Sequence, residues 1–181
     1  MLTLSLLKAY WLDAPNPLDD QCAHGTVLFS AGEQDLVTPQ DGQLTVSAAA
    51  LNLLRTIEHD HTSESPVSEG GQLFPCCGFN VWVAGERFPV LILGCQNGAD
   101  IELVHIPSGV ALRSGGSESV VSEEAWRSAV VSFAESVLAF YDREPPRNPV
   151  EDTEDRKGWQ AFWQAFWQEY VDRLQRHRVV I

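Results

Sequence analysis

An α+β fold, with a mainly antiparallel sheet, one early helix and two C-terminal helices packed on it, is predicted by three features of the sequence. Alternating and β-branched apolar runs fill the first forty residues and the middle of the chain. An Ala- and Leu-rich stretch with helical spacing follows Ser47, and two long amphipathic stretches close the chain. Strand and helix signals are grouped instead of alternating as βαβ units, which separates this class from a parallel α/β sheet.

The elements follow in order. "LTLSL" alternates from Leu2 and is closed by Tyr10, Trp11 and Leu12, giving a half-buried strand ended by Pro15 and Pro17. "TVLFSAG" and "DLVTP" are short strands bounded by Gly25, Gly32 and Pro39. Ser47 is the natural N-cap of a helix over "AAALNLLRTIEHDH", in which Leu51, Leu54 and Ile57 recur at helical spacing. "TSESPVSEGG" reads as an exposed, mobile connection. From Phe79 to Leu112 three apolar runs separated by Gly-Glu, Asn-Gly and Ser-Gly read as an antiparallel meander. "PVLILGC" lacks alternation and is expected to be a central strand covered on both faces. Ser122 caps the next helix, with Glu123 and Glu124 at its positive end, and Trp126, Val130, Phe133, Val137 and Phe140 form its apolar stripe. "DREPPRNPVED" breaks it, and Thr153, Glu154 and Asp155 start the last helix. The expected organisation is one domain over 1–181, with helix 153–178 as an appended packing or docking element.

Composition excludes several functions. The chain has 25 Asp and Glu against 12 Lys and Arg, a formal charge of -13, and only four basic residues against fourteen acidic ones through Val121. No basic stripe exists to grip phosphates, so direct nucleic-acid binding is not expected. No apolar run approaches the length of a membrane span, and "MLTLSLLKAYWLDAP" lacks a basic start and a cleavage site, so neither membrane nor secretion is expected and the location is read as cytoplasmic. Cys22, Cys76, Cys77 and Cys95 are too few for a disulfide framework and are expected as reduced, mostly buried thiols.

The stretch "GWQAFWQAFWQEYVDRL" holds the most unusual surface. At about 100° per residue, Trp159, Phe162, Trp163, Phe166, Trp167 and Tyr170 fall within an arc of about 140°. Packing against the sheet or the Trp126 helix is the simplest use of such a face; partner binding through part of it is the alternative, because the four-residue repeat winds the Trp line round the helix.

Candidate chemistry is sparse. Glu58-His59-Asp60-His61, and Cys22 with His24, raise zinc, but neither spacing is diagnostic, and no metal or other cofactor is expected. Cys76 or Cys77 could be activated by His105 only if folding brought them together. The Gly-rich stretches contain neither a P-loop nor a dinucleotide fingerprint. Asp100 and Glu102 share one face of a strand, which solvent-side alternation explains, and the run Glu151, Asp152, Glu154, Asp155 suits a solvated helix start.

With no strong catalytic signature, the balance moves to a binding protein for a cationic protein partner. In size, charge, the β meander from "CCGFNVWV" to "NGADIELVH" and the terminal helix pair, the chain resembles bacterial immunity proteins, the small acidic inhibitors of polymorphic or contact-dependent toxins. The resemblance implies an inhibitor whose acidic and aromatic groups cover a toxin's basic active site or an exosite. The surface residues nominated for that role are Asp100, Glu102, Glu154, Asp155, Trp159, Trp163, Trp167 and Tyr170. The alternatives are a hydrolase or other enzyme using Cys77 or the His59/His61 group, and a structural subunit self-associating through the aromatic helix; the oligomeric state is left open.

Overall fold

A computed structural model of the chain describes residues 1–12, 16–68, 71–76, 80–83, 87–93 and 97–177. Antiparallel strands and three helices, one early and two C-terminal, make an α+β fold. Among the described residues the strands fall into three separate sheets instead of one. In the first, β2 (His24–Ala31) lies at the centre and pairs with β1 (Leu2–Tyr10), β3 (Gln34–Val37) and the short β4 (Leu44–Thr45). A two-stranded ribbon follows, β5 (Asn80–Trp82) with β6 (Leu91–Leu93). The third sheet is the meander β7 (Glu102–Ile106), β8 (Gly109–Ser114) and β9 (Ser117–Val121), its last turn made by Gly115 and Gly116 in the left-handed region open to glycine.

The helices explain why separate sheets share one core. All ten residues of α1 (Val46–Arg55) are buried. On one side α1 meets α2 (Glu123–Arg143), whose expected stripe of Trp126, Val130, Phe133, Val137 and Phe140 is buried against α1 and β1. On its other side α1 meets α3 (Thr153–His177), which also lies along β5. Burying an apolar face on each neighbour is the main stabilising term for such a stack.

The aromatic helix is largely internal. Phe162 and Phe166 are fully buried, Trp159, Trp163 and Tyr170 are half-buried, and Trp167 remains 49% exposed. The slow winding of the four-residue repeat therefore carries its C-terminal part outward. Arg173, only 3% exposed, locks that end: its guanidinium pairs with Glu58 at 2.9 Å and with Glu169, and donates to the Leu54 carbonyl at the end of α1. Each buried charge here has an opposite charge beside it, as burial requires.

Several expectations are corrected. The N-cap of α1 is Thr45 instead of Ser47; its amide donates to the Pro75 carbonyl and its hydroxyl to the Cys76 carbonyl, which fixes the strand-to-helix corner. The helix stops at Arg55 instead of running on to His61: the Ile57, Glu58 and His59 amides turn back onto the Leu54 and Arg55 carbonyls, Thr56 Oγ1 donates to Leu53 O, and Trp126 Nε1 donates to Thr56 O. The chain then extends, and His61 bridges Leu103 of β7. Within "PVLILGC", Leu91–Leu93 form β6 of the ribbon, not a central strand, although Val90 and Ile92 do face the core; 94–95 lie outside the described residues. In the connection after α1, Ser63, Glu64 and Ser65 are exposed as expected, but its end is anchored: Val67 and Ser68 are buried, and Arg55 donates to the Val67 carbonyl at 2.9 Å. Finally, Cys76 is disulfide-bonded, not a reduced thiol, while Cys22 is free; Cys77 and Cys95 lie outside the described residues.

Gly158 is the point of closest approach between α3 and β5, since a Cβ there would stand 1.8 Å from the Val81 carbonyl oxygen. In an isolated helix Gly158→Ala would gain about 1 kcal/mol. Here the substitution is expected to destabilise the protein by about 1–3 kcal/mol in chemical denaturation, through overpacking. A stabilised variant would mean that α3 stands off the ribbon.

Candidate functional site

The two segments that border the core at the end of β1 and the end of α2 both begin with Asn-Pro, an aliphatic residue and two acids: "NPLDD" from Asn16 and "NPVED" from Asn148. Asn side chains can cap local amides and Pro fixes its own φ; the first segment makes a 3-10 turn over Pro17–Asp19, and the second runs without a turn into the start of α3. In the first, Asn16 accepts from the Leu18 amide. In the second, Asp152 caps α3 by accepting from the Glu154 and Asp155 amides, and these bonds hold its carboxyl below the usual carboxylate range.

The two segments are joined to one another. The Asn148 amide donates to the Leu18 carbonyl at 2.8 Å, its side chain to Asp19 at 2.7 Å, and Gln21 donates back to the Asn148 carbonyl at 3.0 Å. Between them lies a cleft of about 750 Å³ lined by Asp19, Asp20, Gln21, Cys22, residues 148–152, Asp155 and Trp159. Among the described residues that line it, five are carboxylates and none is Lys or Arg. The volume lies within the usual range for ligand sites, about 300–1,000 Å³.

The floor is built from β2 and α2. Tyr141 Oη donates to the Gln21 carbonyl at 2.8 Å and accepts from the Ala23 amide at 3.0 Å, so the chain between Asp20 and His24 is held from behind. Burial pushes the Tyr141 hydroxyl well above its ordinary range, keeping it a donor at physiological pH. Asp20 accepts from the Leu12 and Cys22 amides at 2.9 and 3.0 Å, and its carboxyl faces His24 Nε2 at 3.5 Å. Burial works against the Asp20 charge, but the bonds from His24 and the two amides outweigh it and hold the carboxyl below the usual range. Burial, followed by the Asp20 charge, pushes the Cys22 thiol well up, which makes it a poor nucleophile as it stands.

Of the residues nominated from sequence, Asp155 and Trp159 line this cleft. Glu154 lies outside it, paired with Lys157 at 2.7 Å. Trp163 packs edge-on to Tyr141 at 4.8 Å between ring centroids. Tyr170 donates to Glu135 from the outer side of α3, beside the exposed Trp167. Asp100 and Glu102 stand apart, in a shallower cleft with Arg113 and Glu118. Asp100 lies at the surface, as alternation places it, with its side chain 39% exposed, and it is also tied inward: its Oδ1 accepts from His61 Nε2 at 2.8 Å and from the Leu73 amide at 3.0 Å. His61 Nδ1 in turn accepts from the Val67 amide.

The histidine centres considered from sequence are occupied by structural bonds. Both ring nitrogens of His61 are used, and His105 faces Asp60 with Nδ1 and the Ile57 carbonyl with Nε2. His59 lies edge-on to Phe88, and burial followed by the nearby Arg87 charge lowers its pKa. Among the described residues the group with metal-ligand spacing is Asp20, Cys22 and His24, not His59 with His61. Asp19, Asp20, Glu151 and Asp152 were not nominated from sequence; the matched "NPLDD" and "NPVED" pentapeptides were the available signal.

The Asp100 carboxyl is held below its usual range: partial burial opposes this, and the bonds from His61 and the Leu73 amide prevail. A depressed folded pKa adds stability above the unfolded value, about 3.9 for Asp, which is lost as pH falls through the folded value. Wild type is therefore expected to lose stability steadily below about pH 4. Asp100→Asn should reduce the slope of that acid limb, by at most one proton; equal slopes in urea titrations would remove the pair from the account.

No family model, characterised protein or solved structure matches this chain.

Proposed function

We propose that the protein is an acidic binding module whose Asn-Pro cleft receives a basic side chain or loop of a cationic protein, and that it acts as an immunity protein against a toxin domain. The observation that carries the reading is the cleft itself, five carboxylates and, among the described residues, no lining cation, around a space large enough for a guanidinium or an ammonium chain. Among them, Asp20 and Asp152 are held ionised by hydrogen bonds. The Trp159 ring on the wall adds a face suited to a cation. A carboxylate-lined concavity focuses field lines and accelerates encounter with a basic surface, the behaviour required of an inhibitor that must reach its target quickly.

Among the described residues no helix is long and apolar enough to cross a membrane. Action in the cytoplasm is part of the proposal, but thiol chemistry no longer supports it, since the Cys76 disulfide suits an oxidising compartment.

The test partner is the polypeptide encoded immediately upstream, bound to the chain at two salt concentrations. Replacing Asp19, Glu151 and Asp155 with their amides is expected to lower the association rate about tenfold or more at low salt and to flatten its salt dependence, with dissociation changed less. No complex, or a complex indifferent to these charges, sinks the reading. A complex lost instead on Trp167→Ser would move the contact to the outer side of α3.

A further inference from the structure

We propose that Asp20, Cys22 and His24 form a binding site for a single zinc-class divalent cation, open on one side to the acidic cleft. The three residues occupy alternate positions of "DQCAH", in the short segment that leads into β2 and bends at Cys22, where the Cys22 amide turns back onto the Asp20 carboxylate. The intervening residues face the other way in the hydrogen-bonding sense: the Gln21 carbonyl and the Ala23 amide are taken by Tyr141. One ligand atom from each of Asp20, Cys22 and His24 lies within 4.8 Å of the others. Tetrahedral zinc, with bonds of about 2.0–2.3 Å, sets its ligands about 3.3–3.8 Å apart, so side-chain adjustment alone closes the site.

A second observation independently points to a ligand. His24 is 1% exposed, its Nδ1 has no hydrogen-bond partner, and its Nε2 stands 3.5 Å from Asp20 Oδ2, long for a hydrogen bond. A cation between Nε2 and the Asp20 carboxylate would give this buried, loosely held imidazole a bond at the nitrogen that faces the site. The donors match as well: thiolate, imidazole and carboxylate together favour zinc over calcium or magnesium, which take oxygen.

The outer shell is in place. The Asp20 oxygens already accept from the Leu12 and Cys22 amides, orienting the carboxylate as bonded groups orient metal ligands elsewhere. The thiol is disfavoured as an anion beside Asp20, and a bound cation reverses that balance, releasing the proton to solvent as the metal binds. Because Asp20 and Cys22 also line the cleft, three protein ligands leave a fourth position facing it, available to water or to a donor from a bound molecule.

The experiment uses the full chain, stripped by chelator and titrated with cobalt(II) as a spectroscopic stand-in, then with zinc. One cobalt per chain is expected, with the absorption of thiolate-to-metal charge transfer, displaced by zinc. Cys22→Ser should abolish that absorption and weaken binding by about 10–100-fold or more, and Asp20→Asn and His24→Asn should each weaken it. A measurement on the unmutated chain guards against misfolded variants: zinc is expected to slow alkylation of Cys22, read by peptide mass spectrometry. The proposal is overturned by the absence of stoichiometric cobalt, by Cys22→Ser binding as tightly as wild type, which assigns the metal to surface acids, or by alkylation of Cys22 unaffected by zinc.

Discussion

The hydroxyl of Tyr141 sits between the Gln21 carbonyl and the Ala23 amide, and the surface chemistry of the molecule depends on that pair of bonds. Through them the last turns of α2 hold the loop that enters β2. The loop in turn carries Asp19, Asp20, Cys22 and His24, and its bonds to Asn148 place the linker that starts α3. Without an anchor from behind, a polar turn with this many carboxylates would be set by self-repulsion and solvent.

The aromatic stretch finds its purpose at the same place. Trp11 from the end of β1 packs 4.8 Å from Phe140 and 5.1 Å from Tyr141, and Tyr141 meets Trp163 of α3 edge-on at 4.8 Å. Arg147 lies 4.0 Å above the Trp11 ring, and Trp11 Nε1 donates to Glu144. Strand, helix and linker thus converge on one cluster of rings, whose polar edges bond outward while their faces pack inward. The repeated Trp and Phe positions build the wall behind the cleft, and they expose themselves only past Phe166. At the far end of α3, Arg173 with Glu58 and Glu169 sets how the helix lies on α1, a role in which buried charge gives register more than net stability.

Much of the fold was legible because it follows local periodicity. The Trp126 to Phe140 stripe, the Ser122 cap and the alternation of β1 are single-element patterns whose outcome packing merely completes. What was not legible depends on distant partners. Alternation assigns Asp100 to solvent, where it remains 39% exposed, but nothing local says that one of its oxygens bonds His61, thirty-nine residues away. The apolar run at 90–93 reads as central, yet among the described residues it pairs with β5 alone, with Val90 and Ile92 facing the core and α3 lying along β5. The cleft was the hardest to foresee: its acids sit in two Asn-Pro segments that look like ordinary solvated breaks until hydrogen bonds across more than a hundred residues bring them together. Cys22 and His24 were considered as ligands, but Asp20 completes the set only because Leu12 and Cys22 amides orient it.

The central claim is that the acidic cleft is preformed, its shape imposed by Tyr141 before anything binds. Residue-resolved hydrogen exchange tests it most directly. The Ala23 and Cys22 amides are predicted to exchange far more slowly than exposed turn amides, and Tyr141→Phe to release Ala23 selectively while β2 and α2 stay protected. Ala23 exchanging at the rate of an open loop in the unmutated protein would contradict the account.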